Sequence, residues 1–175
     1  MKKKRAACSL QPRGRVSVMV DTPAVRAVMT SGLRHEIVEY GRVGSVEEAA
    51  AARGVPVDRV IKTIVVRRGE GDHLMVLVPG DRVIDWAKLR RVCGVSRMSL
   101  ASAEEAWAAT GYRPGTITPF GSSSVLPVIA DGSMGGLASI GGGAPGVAIN
   151  VDAEELIALL GAEVADVTRV GTATL

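Results

Sequence analysis

Side chains on which many enzymes depend are scarce in this sequence. Aromatic residues make up 3% of its 175 residues, and it contains two cysteines and two histidines. The cysteines, Cys8 and Cys93, lie far apart, and no Cys or His spacing matches a zinc site or a disulfide framework. We therefore predict no metal site and no bound cofactor, and we expect the chain to work in a reducing, cytoplasmic environment.

Several longer patterns are absent as well. No run of 18 apolar residues occurs, and no apolar segment follows the basic N-terminus, which argues against a membrane span and a secretory signal. The sequence contains no GxSxG, HExxH or Walker GK[ST] motif. If the protein is an enzyme, the attacking group is therefore a water or part of the substrate.

Positive charge is concentrated at the N-terminus. Residues 1–18 contain six lysines and arginines and no acidic residue, which gives them a charge of +6. Because the whole chain carries +3, residues 19–175 carry −3. We predict that residues 1–18 form a solvated, disordered extension. The alternative is that they attract phosphate groups. Residues 19–175 are predicted to form one globular domain.

Five segments carry the start signals of helices. Three have a Ser or Asp followed three residues later by Glu, the pattern of a capping box. In the first segment a threonine suited to the N-cap is followed by a proline suited to the first turn of a helix. The five predicted N-caps are Thr22, Ser45, Asp85, Ser102 and Asp152.

Runs rich in valine, isoleucine and leucine predict the strands. These runs are 35–40, 60–66, 73–78, 97–100, 125–130, 137–140, 147–151 and 162–167, with a polar hairpin loop at 67–72. Because no regular βαβ repeat occurs, we predict an α/β protein of the α+β type. It would be a single domain with a mixed, mostly antiparallel sheet and helices packed on it.

A lysine interrupts the most apolar of these strands, residues 60–66. Strand alternation puts Lys62 on the same face as Val60, Ile64 and Val66, and both faces of the strand are apolar. An unpaired ammonium there costs several kcal/mol. Lys62 therefore either lies at the edge of the sheet and reaches water, or faces a polar cavity with an anionic or carbonyl partner.

Two glycine-rich segments lie later in the chain. Residues 111–121 read GYRPGTITPFG, too irregular for a helix or central strand, and their apolar side chains indicate an ordered loop. Residues 141–146 read GGGAPG and form either a tight turn or a phosphate cradle that lacks a helix dipole. A lysine combined with glycine-loop amides suits recognition of a carbonyl or phosphate group.

The chain resembles the YbaK/ProX family in three segments: Lys62-Thr63 on a strand, the GYRPGTITPFG loop, and the GGGAPG turn before NVDAEELIALLGAEVADVT. That family comprises aminoacyl-tRNA deacylases related to the editing domain of bacterial prolyl-tRNA synthetases. The resemblance covers about Thr22 to Val167. It implies a YbaK-like fold and a trans-editing hydrolase that cleaves the ester of misacylated tRNA, of the Cys-tRNA(Pro) or Ala-tRNA(Pro) type. The implied partners are aminoacyl-tRNA and prolyl-tRNA synthetase.

The resemblance also implies the site residues. Lys62 would hold the backbone or terminal adenosine of the tRNA, and Gly115 with its neighbours would cradle the aminoacyl carbonyl. The residues implied in substrate binding are Tyr40, Thr63, Thr116, Ile117, Thr118, Pro119, Gly141 and Gly142. From the residues alone, Tyr40 could equally belong to the core. Some family members have an aspartate where this chain has Ala148, so no role for a carboxylate carries over.

Two other functions are compatible with the sequence. One is a non-catalytic module of the same fold that binds tRNA or a synthetase. The other is a regulator that binds a nucleotide at the glycine turn.

The basic tail generates the first prediction. If residues 1–18 contact tRNA, deleting them should make binding less dependent on salt, because fewer counterions are released. The measurement is the tRNA dissociation constant against salt concentration for the full and shortened chains. An unchanged slope would mean that the tail does not contact the RNA.

Overall fold

Residues 20–171 are the part of the chain that the structure, a computed structural model, describes. The predicted tail, residues 1–18, lies outside them. The described residues form five α-helices of two turns each, all capped as the sequence predicts. They are α1 (Pro23–Thr30), α2 (Val46–Arg53), α3 (Trp86–Cys93), α4 (Ala103–Thr110) and α5 (Ala153–Leu160), with a short 3-10 helix at Val57–Arg59. None of these helices combines the length and the apolar character that crossing a membrane requires.

Ten strands alternate with the helices. They are β1 (His35–Glu39), β2 (Val60–Gly69), β3 (Asp72–Pro79), β4 (Arg82–Ile84), β5 (Ser99–Leu100), β6 (Val128–Asp131), β7 (Leu137–Gly141), β8 (Val147–Asp152), β9 (Glu163–Ala165) and β10 (Thr168–Val170).

Eight of the strands form one sheet. Seven follow the order β1-β8-β7-β2-β3-β6-β9, β5 pairs with β2, and β4 forms a separate two-stranded sheet with β10. The pairs β2–β7, β3–β6 and β6–β9 are parallel, while β1–β8, β7–β8, β2–β3, β2–β5 and β4–β10 are antiparallel. The predicted mixed, mostly antiparallel sheet is therefore confirmed.

The helix caps differ in detail from the predicted boxes. Only Ser102 forms the full reciprocal capping box, with Glu105. Ser45 accepts from the Glu48 amide, but the Glu48 carboxylate accepts from Gly44 instead of Ser45. Asp152 uses its own carboxylate to accept two first-turn amides, so it needs no partner glutamate.

Several predictions of where strands begin and end were wrong. The strand predicted at 97–100 covers only Ser99–Leu100. The hairpin loop predicted at 67–72 is mostly strand, because the β2–β3 ladder continues through a bulge to Gly69 and Asp72. The strand predicted from Val125 begins only at Val128, and Val125 is fully exposed. The strand predicted at 162–167 is only β9, because the chain leaves the large sheet after Ala165 and starts β10 of the second sheet at Thr168. Short β4 was not predicted at all, since three residues carry little pattern.

Apolar side chains cover both faces of the large sheet. One face packs against α1, α5 and the loop at 111–121, with Ile61, Leu77, Ile140 and Ile149 at its centre. The other face packs against α2 and α3 through two smaller clusters. Burial on both faces explains why β2 and β3 are almost continuously apolar.

A buried carboxylate joins the two sheets. Asp131, at the end of β6, is 2% exposed and accepts from the Thr168 hydroxyl at 2.8 Å and the Val167 amide at 3.2 Å. The Arg82 guanidinium donates to the same hydroxyl at 2.6 Å. Burial raises the pKa of Asp131, but hydrogen bonds from Ser133, Thr168 and Val167 outweigh it, so the pKa lies below its usual value.

This junction yields a prediction about stability and pH. Asp131→Asn should lower the free energy of unfolding by about 3 kcal/mol at pH 7, because it removes the charge from a buried network. Since the folded-state pKa is depressed, the stabilisation is present above the unfolded value of about 4 and disappears as pH falls below it. The difference between wild type and variant should therefore shrink below about pH 4.

Urea unfolding at several pH values measures this difference. Asp72→Asn is the matched control, because Asp72 pairs with Arg68 on the surface and should change stability by less than about 1 kcal/mol. Equal small losses for both variants would contradict the role given to Asp131.

Candidate functional site

Lys62 does not lie on an edge strand. β2 is internal to the sheet, with β3 along one side and β7 and β5 along the other. β7 pairs only with Val60 and Ile61, and β5 only with Val66 and Arg67. The side of β2 between these two short pairings, at residues 62–64, has no strand partner in the described chain; we call it the sheet gap. The polar groups that Lys62 reaches belong to the turn that follows β3.

The ammonium of Lys62 is held by backbone carbonyls. Its Nζ donates to Arg82 O at 2.6 Å and to Gly80 O at 3.2 Å, both in the turn from β3 to β4. This leaves one N–H of the ammonium for another acceptor. Burial lowers the pKa of Lys62, and the carboxylates of Asp81 and Glu47 oppose that shift. Of the two predicted alternatives, the structure shows the carbonyl partners and not a position on an edge strand.

A row of small residues extends from Lys62 across the sheet. Gly141 is one position beyond the last β2–β7 pair and so stands beside Lys62. Its partner on β8 is Ala148, which pairs in turn with Val38 on β1. Gly141 and Ala148 are the small residues of this row, and Ala148 is fully buried.

Tyr40 borders this row and is fixed by an arginine. The Arg53 guanidinium donates to the Tyr40 hydroxyl at 2.8 Å, lies 5.0 Å from the centre of its ring, and donates to Ser139 O at 3.3 Å. The Tyr40 amide donates to Gly146 O at 2.8 Å. Tyr40 is half-buried and held at the site side of the sheet instead of in the main core.

The loop at 111–121 packs next to Gly141. A Cβ added to Gly141 would lie 3.2 Å from Ile117 O, so glycine lets the loop approach the strand closely. Tyr112 and Phe120 are buried and anchor the loop, the Tyr112 hydroxyl donating to Phe120 O at 2.8 Å. Gly115 is exposed with φ +88, a conformation that favours glycine.

The structure brings some of the predicted residues together and separates others. Thr116 and Ile117 meet Gly141, and Gly141 stands beside Lys62. Thr118 is fully buried within the loop, and Gly142 is buried where a Cβ would lie 2.5 Å from Val147. Thr118 and Gly142 therefore support the loop and the turn from their buried side. Pro119 is half-buried, and the exposed Gly115 lies at the loop tip.

Sequence reasoning missed three polar residues near this row. Arg53 was interpreted only as the end of α2, and the apolar runs around Ser139 and Asn150 hid their polar side chains. Ser139 Oγ, Asn150 Oδ1 and Arg53 Nε are buried without a hydrogen-bond partner in residues 20–171. Ser139 on β7 pairs with Asn150 on β8. Strand alternation could have indicated from the sequence which face each of these side chains occupies. Among the same residues, no group of His, Cys, Asp and Glu could hold a metal ion.

Comparison with known proteins decides the family. Residues 41–159, more than half of the chain, match the model of the aminoacyl-tRNA editing domain. The chain belongs to this family. The matched segment of the editing domain includes Lys62, the loop at 111–121 and the GGGAPG turn.

Relatives of the editing domain include both solved structures and larger enzymes. The crystal structure of a candidate trans-editing enzyme for prolyl tRNA synthetase superposes with a TM-score of 0.78 at 30% identity, covering 86% of this chain and 99% of that one. The proline–tRNA ligase of Pelobacter propionicus is 33% identical over 95 residues, 54% of this chain and 16% of the ligase. The ligase of Syntrophotalea carbinolica is 32% identical over 124 residues, 71% of this chain and 20% of that ligase. The editing domain thus spans a small part of the ligases it matches.

The surroundings of Lys62 predict how this editing domain responds to pH. The pKa of Lys62 should lie below the ordinary value of about 10.4, because burial disfavours the ammonium. Asp81→Asn should lower the pKa further, since the Asp81 carboxylate stabilises the charged form. Titration of the lysine ε-carbon by NMR measures both pKa values.

Glu70→Gln serves as the control, because Glu70 lies at the distant tip of the β2–β3 hairpin and should leave the pKa of Lys62 unchanged. A pKa at the ordinary value, or above it, would show that burial does not dominate at Lys62 and would contradict this prediction.

Proposed function

We propose that this editing domain hydrolyses the ester that joins a wrongly attached amino acid to tRNA, acting in trans after a synthetase has released its error. The observation that carries the proposal is the arrangement around the sheet gap: Gly141 stands beside Lys62, the glycine-proline loop packs against Gly141, and the turn after β3 holds the Lys62 ammonium. A family shared with prolyl-tRNA synthetase relatives supports the choice of aminoacyl-tRNA as substrate.

Each element of the site would contribute one function. The remaining N–H of the Lys62 ammonium would bind an oxygen of the terminal nucleotide, since a half-buried cation attracts an anionic or ribose oxygen. Amides of the loop from Gly115 to Pro119 would cradle the aminoacyl carbonyl. Tyr40 would line the pocket, with Arg53 holding its hydroxyl. Thr63, at the sheet gap, would complete the wall.

The chemistry would not need a protein base. A water, activated by the neighbouring ribose hydroxyl, would attack the carbonyl carbon of the ester and give up a proton. The bond from that carbon to the ribose oxygen would break, and the ribose oxygen would take up a proton. Aimed amide donors would stabilise the oxyanion of the tetrahedral intermediate, and the loss of one such donor typically raises the barrier by about 2.7–4 kcal/mol.

A basic groove beyond the far end of β2 supports tRNA as the partner. Arg67, Arg68, Arg90 and Arg97 line this groove. Arg67 and Arg68 pair with acidic side chains, whereas Arg90 and Arg97 have no carboxylate within 4.0 Å in residues 20–171. Five strand residues, about 16 Å, separate Arg67 from Lys62. A few nucleotides could span that distance, so the groove would hold phosphates of the acceptor end while the terminal adenosine occupies the site.

Small amino acids fit this proposal best. The strand positions beside Lys62 carry glycine and alanine, and β-branched side chains crowd the rest of β2. We propose Cys-tRNA(Pro) or Ala-tRNA(Pro) as the substrate, with prolyl-tRNA synthetase as the enzyme whose errors are removed. Editing of such substrates is needed because small apolar differences are worth only about 1–3 kcal/mol in a binding pocket.

A second candidate is a non-catalytic module that binds tRNA or a synthetase. The observation that favours it is Ala148, where some relatives carry a carboxylate. Incubation with a panel of labelled aminoacyl-tRNAs separates the two functions. Release of the amino acid supports the deacylase, while retention of the label together with measurable binding supports the module.

Lys62→Ala tests the proposed active site. The variant should lose deacylation of every misacylated tRNA that the wild type hydrolyses, because the substrate loses its only ammonium partner at the sheet gap. Its fold should survive, since removing a half-buried cation leaves two carbonyls that water can reach. The measurements are turnover and thermal unfolding. Lys88→Ala is the control, because Lys88 pairs with Asp166 away from the site and should retain activity.

Turnover close to that of the wild type in Lys62→Ala, on each tRNA of the panel, would reject the assignment of the active site.

A further inference from the structure

The sheet gap exposes the middle of a strand that is otherwise buried. Val60, Ile61, Val65 and Val66 are buried, whereas the three residues between them, 62–64, are partly accessible. Aliphatic strand residues become accessible at mid-strand only where a neighbouring element is missing. The burial pattern therefore marks an opening into the sheet, centred on Thr63.

The backbone of Thr63 faces this opening. Val65 O accepts from the Ala101 amide, so the N–H and C=O groups of Val65 point away from β3. Backbone N–H and C=O groups alternate in direction along an antiparallel strand, so those of Thr63 and Ile61 also point away from β3. Ile61 meets β7 and Val65 meets the segment after β5, but Thr63 lies between the two pairings and is opposite neither.

Within residues 20–171, three polar groups of Thr63 consequently have no hydrogen-bond partner. Neither the β2–β7 ladder nor the loop and turn hydrogen bonds of residues 20–171 include its N–H or C=O. Its hydroxyl oxygen is buried and also unpaired within those residues. More than nine in ten buried backbone groups in proteins are paired, so an unpaired donor and acceptor on one residue at an opening indicate a place for a ligand.

We propose that the aminoacyl group of the substrate fills the sheet gap as if it were one residue of a missing strand. This inference rests on the proposed function and names the part of the substrate that the site recognises. The Thr63 N–H donates to the carbonyl oxygen of the ester. The Thr63 C=O accepts from the α-ammonium group. This binding mode resembles the addition of a peptide strand to the edge of a sheet, except that a single residue takes the place of the strand.

The chemistry of the substrate matches this pair of groups. An α-aminoacyl ester presents one carbonyl acceptor and one ammonium donor, the complement of one strand residue. Hydrogen bonds to a charged ammonium are roughly twice as strong as neutral ones. The Thr63 N–H would also reach the developing oxyanion, which makes it a catalytic donor in addition to the loop amides. The site thus selects a free α-amino group and is indifferent to which small side chain follows.

Blocking the α-amino group tests the inference. N-acetyl-alanyl-tRNA and N-methyl-alanyl-tRNA are compared with alanyl-tRNA as substrates of the full chain. N-acetylation removes the charge and should lower kcat/KM by a hundredfold or more, whereas N-methylation keeps the ammonium and should retain most of the activity. Equal hydrolysis of the acetylated and free substrates would overturn the inference and leave the proposed deacylase standing.

A backbone substitution tests the donor separately. Replacing Thr63 with its α-hydroxy analogue removes its N–H, weakens the preceding Lys62 carbonyl and should lower kcat, while Thr63→Val keeps the backbone and should lower kcat far less. The matched control is the α-hydroxy analogue of Val66, because the Val66 N–H faces β3 and the carbonyl that this change weakens, Val65 O, accepts from Ala101 outside the gap. That control should cost stability but keep the kcat of the folded protein. Equal kcat for the two α-hydroxy variants would contradict the role of Thr63.

Binding without turnover distinguishes failure of the inference from failure of the proposed function. The probe is 3′-alanylamino-3′-deoxyadenosine, whose amide bond resists hydrolysis. In NMR titrations the Thr63 amide should shift more than those of Ile61 and Val65, and the N-acetyl form of the probe should bind at least tenfold more weakly. If the probe binds at Thr63 but the protein hydrolyses no aminoacyl-tRNA, the proposed deacylase activity is rejected and the proposed contact with Thr63 stands. If the probe binds and the Thr63 amide does not shift, the proposed contact is rejected.

Discussion

The structure depends on a charged side chain placed on an internal strand. A lysine ammonium among valines and isoleucines requires polar partners, and here the turn between β3 and β4 supplies two carbonyl oxygens. These carbonyls are in turn held by the small β4–β10 sheet, because Arg82 offers its carbonyl to Lys62 and its guanidinium to the network of Asp131 and Thr168. The two sheets are therefore joined at the residue that fixes the ammonium.

The second constraint is the interruption of the sheet beside that lysine. β7 and β5 each pair with two residues of β2 and leave the stretch between them open. Glycine at the end of β7 lets the loop of residues 111–121 pack against the sheet there, with Ile117 O at 3.2 Å from the position of an added Cβ. Unpaired backbone groups and a glycine-rich loop then lie at one opening, next to the strand position of Lys62, and we propose that this arrangement suits an ester of an α-amino acid.

Much of the fold was predictable from the sequence, because its signals are local. N-caps fixed all five helix starts, and apolar runs located the strands around Lys62 to within a few residues. The pairing of β4 with β10 was not predictable, since two three-residue strands from distant segments carry no period. The chain passes from the large sheet at β9 to the second sheet at β10 beside the buried Asp131, a tertiary contact that no local pattern reports.

The candidate site was predictable in part. The lysine stood out as a charge in an apolar strand, and the glycines indicated close approach of backbone. The contact of Arg53 with Tyr40 joins residues from β1 and α2, and the unpaired backbone of Thr63 depends on where two other strands stop pairing. Neither feature has a signature in the order of residues, because both arise from how distant segments meet.

The most direct test of the account is a crystal structure of the protein with a non-hydrolysable aminoacyl-adenosine bound. The account predicts that the aminoacyl end lies in the opening between β7 and β5, with a ligand oxygen within hydrogen-bonding distance of the Lys62 ammonium and with residues 115–119 closing over it. A ligand bound on another surface, with Lys62 still held only by the carbonyls of Gly80 and Arg82, would contradict it.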